Sequence, residues 1–384
     1  MPAALLRGRS PLVGDSAERR DPSVTASDTH FMREALAMAR AGPSTSPNPR
    51  VGAVIVRDRQ VISKGAHRGA GTPHAETVAL EGINAQGATM YVTLEPCNFY
   101  GRTPPCAPAV IAAGVTRVVV AMEDPDKRVA GSGIAAMRAS GVDVITGVLE
   151  DAARRLNVAF VHHRTTGRPF VVLKLALTLD GHLAAADGSS RWITSSGTRL
   201  LVHEERAASD AVLVGAGTIN VDDPKLTVRE VESSRHPSRV VVDARGRVSP
   251  SAAVFTSAGD VPVLVATTES ASKETRAGWE EVGAEVLVVR GSEEGIDLPD
   301  LLHHLGARDF LQVYCEGGAR LATSLLRHGL VDRLELHYGA KMVGDQGPSI
   351  GDLGVSSMSG ARRWTITSVS KVDQDLLVGL EPSN

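Results

Sequence analysis

From residue 28 onward, short apolar runs alternate with stretches whose apolar residues recur at helical spacing, and that alternation predicts an α/β protein. Phe31, Ala35, Leu36, Met38 and Ala39 predict a helix over 28–41, stopped by Gly42-Pro43. Apolar runs at 51–56 and 61–65 around Asp58-Arg59 predict a β-hairpin. A helix at His74, a strand over 89–94, a helix from Cys106 to Gly114 and a strand over 117–122 follow. A helix over 133–139 and a strand over 142–146 complete the unit, and a helix over 150–164 leads out. Thr165-Thr166-Gly167-Arg168-Pro169 reads as a linker.

The second half restarts with a strand over 170–177. Further strands are expected at 211–214, 239–242, 261–266, 285–289, 310–314 and 333–338, and helices at 196–208, 272–282 and 299–305. A polar-apolar alternation covers 364–380. Residues 1–26 show neither periodicity nor the apolar core of a signal peptide, and Asp15, Glu18 and Asp21 among their arginines argue against a transit peptide. They are expected to form a disordered tail. The resulting division is a tail at 1–26, a first domain at 27–164, a linker at 165–169 and a second domain at 170–384.

Composition excludes more than it adds. Lys and Arg total 41 against 44 Asp and Glu, a formal charge of −3, so nothing favours an electrostatic grip on nucleic acid or an acidic membrane. Aromatic residues at 3% leave little with which to stack bases. No apolar segment has the length of a membrane span. The 3 cysteines, with Cys315 alone in an apolar run, make no disulfide framework and point to a reducing, cytoplasmic setting.

The chemistry concentrates in one stretch. His74-Ala75-Glu76 is followed by Pro96-Cys97 and then by Pro104-Pro105-Cys106. One imidazole and two thiols are three metal ligands, a set that leaves a zinc one open position for water. Neutral histidine with two thiolates brings that site near zero charge, so a base must help take the proton from water, and Glu76 is placed for it. Prolines just before His74 and Cys106 put both ligands at helix N-termini, where the dipole favours thiolate. Zinc deaminases of nucleobases carry H-x-E and then P-C-x-x-C, but here eight residues separate the two cysteines.

With that longer loop, Thr93-Leu94-Glu95-Pro96-Cys97 and Tyr100-Gly101-Arg102-Thr103-Pro104-Pro105-Cys106 resemble the deaminase half of the bifunctional deaminase-reductases of riboflavin biosynthesis. In the second half, Glu316-Gly317-Gly318 turns from an apolar run into a helical pattern, which suits a phosphate, and Val214-Gly215-Ala216-Gly217-Thr218 is a second glycine turn. A tight turn explains either one as well. Taken in order with Lys174 to Gly181, Trp192-Ile193-Thr194, Asp222-Asp223-Pro224 and Leu226-Thr227-Val228-Arg229, they resemble the reductase half of the same family.

The resemblance covers 28–384 and implies a cytidine-deaminase-like zinc domain followed by a dihydrofolate-reductase-like α/β domain. It also implies Zn²⁺ and NADPH as cofactors, a small phosphoribosyl pyrimidine as substrate, and a homo-oligomer formed through the reductase half. The implied reactions are hydrolytic deamination of the diaminopyrimidine to an aminouracil, then reduction of its ribose to the ribityl phosphate. Zinc would be held by His74, Cys97 and Cys106, with Glu76 moving the proton. Asn48, His67, Arg102 and Asp124 would hold the pyrimidine and its ribose phosphate. The nicotinamide cofactor would contact Ala176, Trp192, Thr218, Asp222 and the run Gly318, Ala319, Arg320, Leu321, Ala322, Thr323, Ser324. Lys174, Ser190, Arg206, Leu226, Arg229 and Glu316 would face the sugar phosphate, for which paired guanidinium groups offer forks of donors.

Each of these residues has a plainer reading. Trp192 suits a core, Arg206 a solvated helix face, Asp222-Asp223-Pro224 and Asn48 turns, His67 the surface, and Arg102 and Asp124 loops. Two positions depart from the family pattern: Phe99 replaces a histidine, and Asp126 replaces an asparagine. Asp126 sets a carboxylate near a phosphorylated ligand unless Lys127 or Arg128 compensates. His162 and His163 are adjacent and point about 100° apart on a helix, so they read as an exposed basic helix end. The competing functions are a deaminase of nucleic acid or nucleosides, which the charge and aromatic content disfavour, and a paralogue with another pyrimidine substrate or a silent deaminase domain.

Overall fold

The computed structural model describes residues 24–42, 44–101, 103–233, 235–344 and 347–383, so the expected tail lies outside it up to residue 23. The described chain divides into two compact units between Gly167 and Arg168.

The first unit holds α1 (Ala26–Ala41), β1 (Gly52–Arg57), β2 (Gln60–Ala66), α2 (Ala75–Leu80), β3 (Thr89–Val92), α3 (Cys106–Ala112) and β4 (Arg117–Val120). It continues with α4 (Ser132–Ala139), β5 (Asp143–Thr146), α5 (Glu150–Leu156) and α6 (Val158–Thr166). The sheet order is β2-β1-β3-β4-β5, antiparallel through β2-β1-β3 and parallel through β3-β4-β5. Thr25 and Asp28 start α1 with a capping box, two residues earlier than the apolar spacing marks. Asp58 and Arg59 both have positive φ, 51° and 59°, the mirror-image turn that suits the twist of a hairpin.

Two helices lie unusually close to this sheet. A Cβ on Gly52 would stand 2.1 Å from the Ala35 carbonyl oxygen in α1, and one on Gly65 would stand 2.2 Å from that of Ala75 in α2. Glycine at 65 therefore lets the start of α2, with His74 as its N-cap, sit directly on β2. Met32, Val54, Ile55, Met90, Val118 and Val119 fill the core between these layers.

The single helix expected over 150–164 is two. Asn157, buried between α5 and α6, accepts a hydrogen bond from the Arg50 N–H (2.7 Å) and donates to the Arg50 carbonyl (3.0 Å). That partner is distant in sequence, so local periodicity carries no trace of the break. α6 then runs through Thr166 into the expected linker and ends on Gly167, whose φ of 76° is left-handed. His163 is buried on α6, so the expected exposed basic end is corrected.

The second unit contains β6 (Phe170–Thr178), α7 (Ser196–Ala208), β7 (Ala211–Gly215), α8 (Ala216–Asp222), β8 (Ser238–Val242), β9 (Val263–Thr267), α9 (Lys273–Glu281) and β10 (Glu285–Val288). A short hairpin of β11 (Gly291–Ser292) and β12 (Gly295–Ile296) precedes α10 (Leu298–Gly306), β13 (Gln312–Cys315) and α11 (Ala319–Arg327). The unit closes with β14 (Arg333–Gly339), β15 (Trp364–Val372) and β16 (Asp375–Pro382). Nine strands form one sheet in the order β10-β9-β8-β7-β13-β6-β14-β16-β15. It is parallel from β10 to β14 and antiparallel from β14 through β16 to β15. The glycine turn at Val214 to Thr218 proves helical: Gly215 caps α8, which places Thr218 on a helix. Leu173, Leu213, Val313, Leu301 and Leu325 pack one apolar layer, and Val212, Val241, Val265 and Trp279 another.

Asp28 ties the first unit together. Fully buried, it accepts from the Thr25 N–H (2.9 Å) and hydroxyl (2.8 Å), the Tyr91 hydroxyl (2.9 Å) and both ends of the Arg117 guanidinium (3.0 and 3.2 Å). Burial alone would raise its pKa, but the donors outweigh burial and hold the carboxyl below its ordinary value. A depressed folded pKa gives stability that is present above the unfolded value of about 3.9 and is lost as pH falls through the folded one. Asp28→Asn should therefore cost about 2–4 kcal/mol at pH 7 in denaturant titration, and the deficit should shrink below about pH 4.

Candidate active site

His74, Cys97 and Cys106 come from three separate segments: the N-cap of α2, the loop after β3 and the first turn of α3. Their ligand atoms all lie within 4.8 Å of one another. Nδ1 of His74 is 3.6 Å from the Cys97 sulfur and 3.2 Å from that of Cys106. Tetrahedral zinc bonds of about 2.0 Å to nitrogen and 2.3 Å to sulfur place such ligands about 3.5 Å apart, so the set fits the ion. The Cys106 N–H, free of helix partners at the start of α3, donates to the Cys97 sulfur at 3.4 Å.

The two sulfurs lie close enough to act on one another. The Cys106 thiol donates to Cys97 and pulls it down to about 4, with His74 helping against burial, while Cys106 itself is pushed up by that contact and by burial. A divalent cation removes that last proton, since it binds thiolate. Glu76 is buried beside them, and burial lifts its carboxyl to about 7. On the far side of the imidazole, Nε2 of His74 lies 3.1 Å from the Thr103 hydroxyl. An Nε2–H donated to Thr103 leaves the Nδ1 lone pair facing the sulfurs.

Asn48 and His67 join this cluster. Nδ2 of Asn48 is 2.9 Å from Nε2 of His67, and the His67 ring meets that of His74 edge-on at 5.3 Å. His67 is buried, which overturns the surface reading. Asp124 is buried too, and burial raises it to about 6. Arg102 lies outside the described residues.

Sequence reasoning gave no role to Glu95, although it sits in the Thr-Leu-Glu-Pro-Cys motif. Its buried carboxylate accepts four backbone N–H groups, from Asp124 (3.2 Å), Gly131 (2.9 Å), Gly133 (2.9 Å) and Ile134 (3.2 Å). The loop after β4 is thereby fixed against the segment that carries Cys97. Gly133 makes the approach feasible, since a Cβ there would stand 1.8 Å from the Pro96 carbonyl oxygen. Thr103 was likewise visible only as a motif member.

In the second unit the candidate residues collect along the C-terminal ends of the parallel strands. The Gly318 N–H donates to the Thr218 hydroxyl at 3.1 Å, which joins the turn before α11 to α8. Trp192 is 57% exposed and stacks under Arg199, whose guanidinium carbon is 4.4 Å from the ring centre, so it is not a core residue. Asp222 ends α8 and accepts from Arg191 through its carbonyl, which accords with the turn reading. Ala176 pairs with His337 in β14, and Lys174 pairs with Glu335. Ser190 is half-buried and Arg229 exposed, each on a loop.

Several of these residues are engaged within the fold. Arg206 is not solvated: buried on α7, it forks Glu316 at 2.5 and 3.0 Å. Burial opposes the Glu316 charge, yet Arg206 and then Lys174 hold its carboxyl below the ordinary range, and burial holds the Lys174 ammonium below its own. Leu226 is a core side chain packed with Val212 and Val241, so only its backbone can reach a ligand. Leu321 and Ala322 are also core, which leaves Gly318, Ala319 and Arg320 as the outward part of that run. Thr323 donates to the Ala319 carbonyl (2.6 Å), and Ser324 to Glu294 (2.6 Å). Such packing depends on which side of a turn a residue leaves the chain, and periodicity at a helix start does not reveal that.

A three-ligand zinc cluster with a buried glutamate, joined to an α/β unit with a phosphate-type turn, defines an enzyme with two activities, a deaminase and a reductase. A family model described as the cytidine and deoxycytidylate deaminase zinc-binding region matches residues 25–122, and one described as the RibD C-terminal domain matches 169–378. The chain is 40% identical over 354 residues to riboflavin biosynthesis protein RibD of Aquifex aeolicus, covering 91% of this chain and 97% of that one. It is 38% identical over 369 residues to RibD of Escherichia coli, covering 92% and 99%. RibD of Acinetobacter baumannii matches in structure with a TM-score of 0.85 at 38% identity, over 93% of this chain and 99% of that chain. A Thermotoga maritima structure described as a diaminohydroxyphosphoribosylaminopyrimidine deaminase/5-amino-6-(5-phosphoribosylamino)uracil reductase matches at 0.81 and 36%, with the same coverage. The chain belongs to the RibD family of bifunctional riboflavin-biosynthesis enzymes, and its cofactors are Zn²⁺ and NADPH.

Thr103→Val should weaken zinc binding about 10- to 100-fold in chelator competition, and Thr103→Ser should keep most of it. Arg206→Met strands a buried carboxylate at Glu316 and should cost about 3–5 kcal/mol in the second unit. Its NADPH oxidation should fall while ammonia release stays level.

Proposed function

We propose that the first unit deaminates the diaminohydroxyphosphoribosylaminopyrimidine and that the second reduces the resulting 5-amino-6-(5-phosphoribosylamino)uracil to its ribityl form. The observation that carries this reading is the coincidence of Glu76, buried and beside the three-ligand cluster, with the Asn48–His67 pair, whose His67 ring meets that of His74. The catalytic domains would span 27–164 and 170–384 with 165–169 between them, in a cytoplasmic homo-oligomer that acts on small molecules and not on nucleic acid.

When bound, Zn²⁺ supplies a water acidic enough to attack at neutral pH. Glu76 takes one proton from that water and passes it to the neighbouring ring nitrogen, as oxygen bonds to the amino-bearing ring carbon and the carbon–nitrogen π pair moves to that nitrogen; it next takes the remaining proton of the new hydroxyl as the carbonyl forms. It then gives a proton to the departing amine, the carbon–nitrogen bond breaks, and ammonia leaves. A carboxyl pushed up by burial and pulled down by a nearby cation can serve in both directions. The Asn48–His67 pair and Asp124 offer polar edges to hold the ring. In the second unit NADPH supplies the hydride. Lys174 and Glu316, adjacent on the sheet face beneath α7, orient the opened sugar, and Trp192 with the Gly318 turn frames the cofactor cleft.

The test uses one preparation and two readouts. Glu76→Gln should lose ammonia release by about 10²- to 10⁴-fold, and zinc chelation should abolish it. Both should spare NADPH oxidation when the deaminated compound is supplied. Ammonia release unaffected by Glu76→Gln would sink the assignment.

A further inference from the structure

We infer that His203, buried on α7, is a positioning residue of the reductase unit: as a neutral imidazole it fixes the loop that carries Arg229, and it releases that loop when protonated. The inference rests on the phosphoribosyl substrate proposed above, with Arg229 as the loop cation that faces it. The segment from Pro224 to Glu230 follows α8 with neither helix nor strand. It begins under strain, since Asp223 and Leu226 hold φ at 42° and 56°, in the left-handed region that side chains rarely adopt. Such a conformation persists only where the surroundings impose it.

Leu226 and Val228 are buried, while Arg229 is exposed. Among the described residues the backbone of this segment makes two hydrogen bonds, and both go to side chains of α7. Nη1 of Arg206 donates to the Thr227 carbonyl at 3.2 Å, and the Arg229 N–H donates to Nδ1 of His203 at 3.4 Å. His203 and Arg206 are three residues apart, on one face of the helix. Arg206 also forks Glu316, so that single face sets where the Arg229 loop stands relative to the Glu316 carboxylate. The Arg229 guanidinium spends Nη1 on the Thr227 hydroxyl at 3.1 Å, which leaves its Nη2 end open among the described residues.

The bond to Arg229 decides the state of the ring. A backbone N–H only donates, so Nδ1 presents its lone pair and the ring proton sits on Nε2, 3.9 Å from the Glu230 carboxylate. A proton on Nδ1 sets donor against donor. The charged groups facing the imidazole are Arg206 on its own helix, Arg229 and Glu230 on the loop, and Glu316 after β13. Burial, then the two arginines, hold its pKa below the ordinary value against the pull of the two carboxylates. The hold on Arg229 is therefore complete above about pH 6.5 and is lost as pH falls through the lower, folded value.

The experiment measures NADPH oxidation with the deaminated compound from about pH 5.5 to 8 in wild type, His203→Asn and His203→Leu. Asparagine offers Oδ1 as an acceptor in place of Nδ1 and does not titrate, so His203→Asn should keep the wild-type KM at the alkaline end. His203→Leu should raise KM about three- to tenfold throughout, with kcat within about twofold. The substrate phosphate also titrates near pH 6, and dividing the wild-type KM by that of His203→Asn removes its contribution. That ratio should rise as pH falls. A flat ratio, or an asparagine variant as impaired as the leucine one, would overturn the proposal. Ribose 5-phosphate titrated at the alkaline end separates this from the substrate reading. Affinity about three- to tenfold weaker in His203→Leu and restored in His203→Asn supports the positioning role even where wild type oxidises no NADPH, and equal affinity in all three refutes it.

Discussion

Buried carboxylates that accept backbone N–H groups from loops impose the geometry on which both units depend. Glu95 takes four such donors, and Asp28 ties a helix start to a tyrosine and an arginine. In the second unit Asp210 accepts from Leu311 and Gln312, Asp243 from Arg247 and Val248, and Asp375 from Ser195 and Thr198. All five are buried. An ionised group left alone there would cost several kcal/mol, so each carboxylate selects the one loop conformation that satisfies it. Loops joined to strand ends are otherwise the softest part of an α/β fold. Here they are held in register, and residues far apart in sequence converge.

The two sites use that rigidity differently. At the zinc cluster it brings two helix starts and a strand end together, so that a neutral imidazole and two sulfurs face one point. The metal then needs little rearrangement of the protein, and Thr103 fixes which nitrogen of His74 faces it. In the reductase unit the same principle builds a charged group on α7 and the sheet, where Arg206 and Lys174 both stabilise the Glu316 carboxylate. The Tyr314 hydroxyl is buried beside this group without a hydrogen-bond partner among the described side chains, which marks the place as one built for polar chemistry more than for stability.

Much of this was legible from residue order. The hairpin at Asp58-Arg59, the helix over 196–208 and the sequence of strands follow from periodicity and turn chemistry, because those signals are local. That His74, Cys97 and Cys106 would cluster was legible for a chemical reason: few residue types bind zinc, and their spacing is constrained by the helices that present them. Local signals failed where a distant partner decided. The break at Asn157 answers to Arg50, the burial of Arg206 answers to Glu316, and Leu226 turns inward because the apolar layer behind β7 takes it.

The sequence by itself determined the class of fold, the His74, Cys97 and Cys106 candidates with Glu76 beside them, the reductase motifs and hence the family. Those depend on residue identity and short spacing, which survive without coordinates. Only the tertiary structure decided which side chains in each motif face a ligand and which face the core, that Asp126 and Phe99 share Arg128, and that Glu95 anchors the loop opposite Cys97. These are properties of packing and of hydrogen bonds between residues tens of positions apart. Direction and distance of that kind are set when layers close on one another, and no one-dimensional pattern records them.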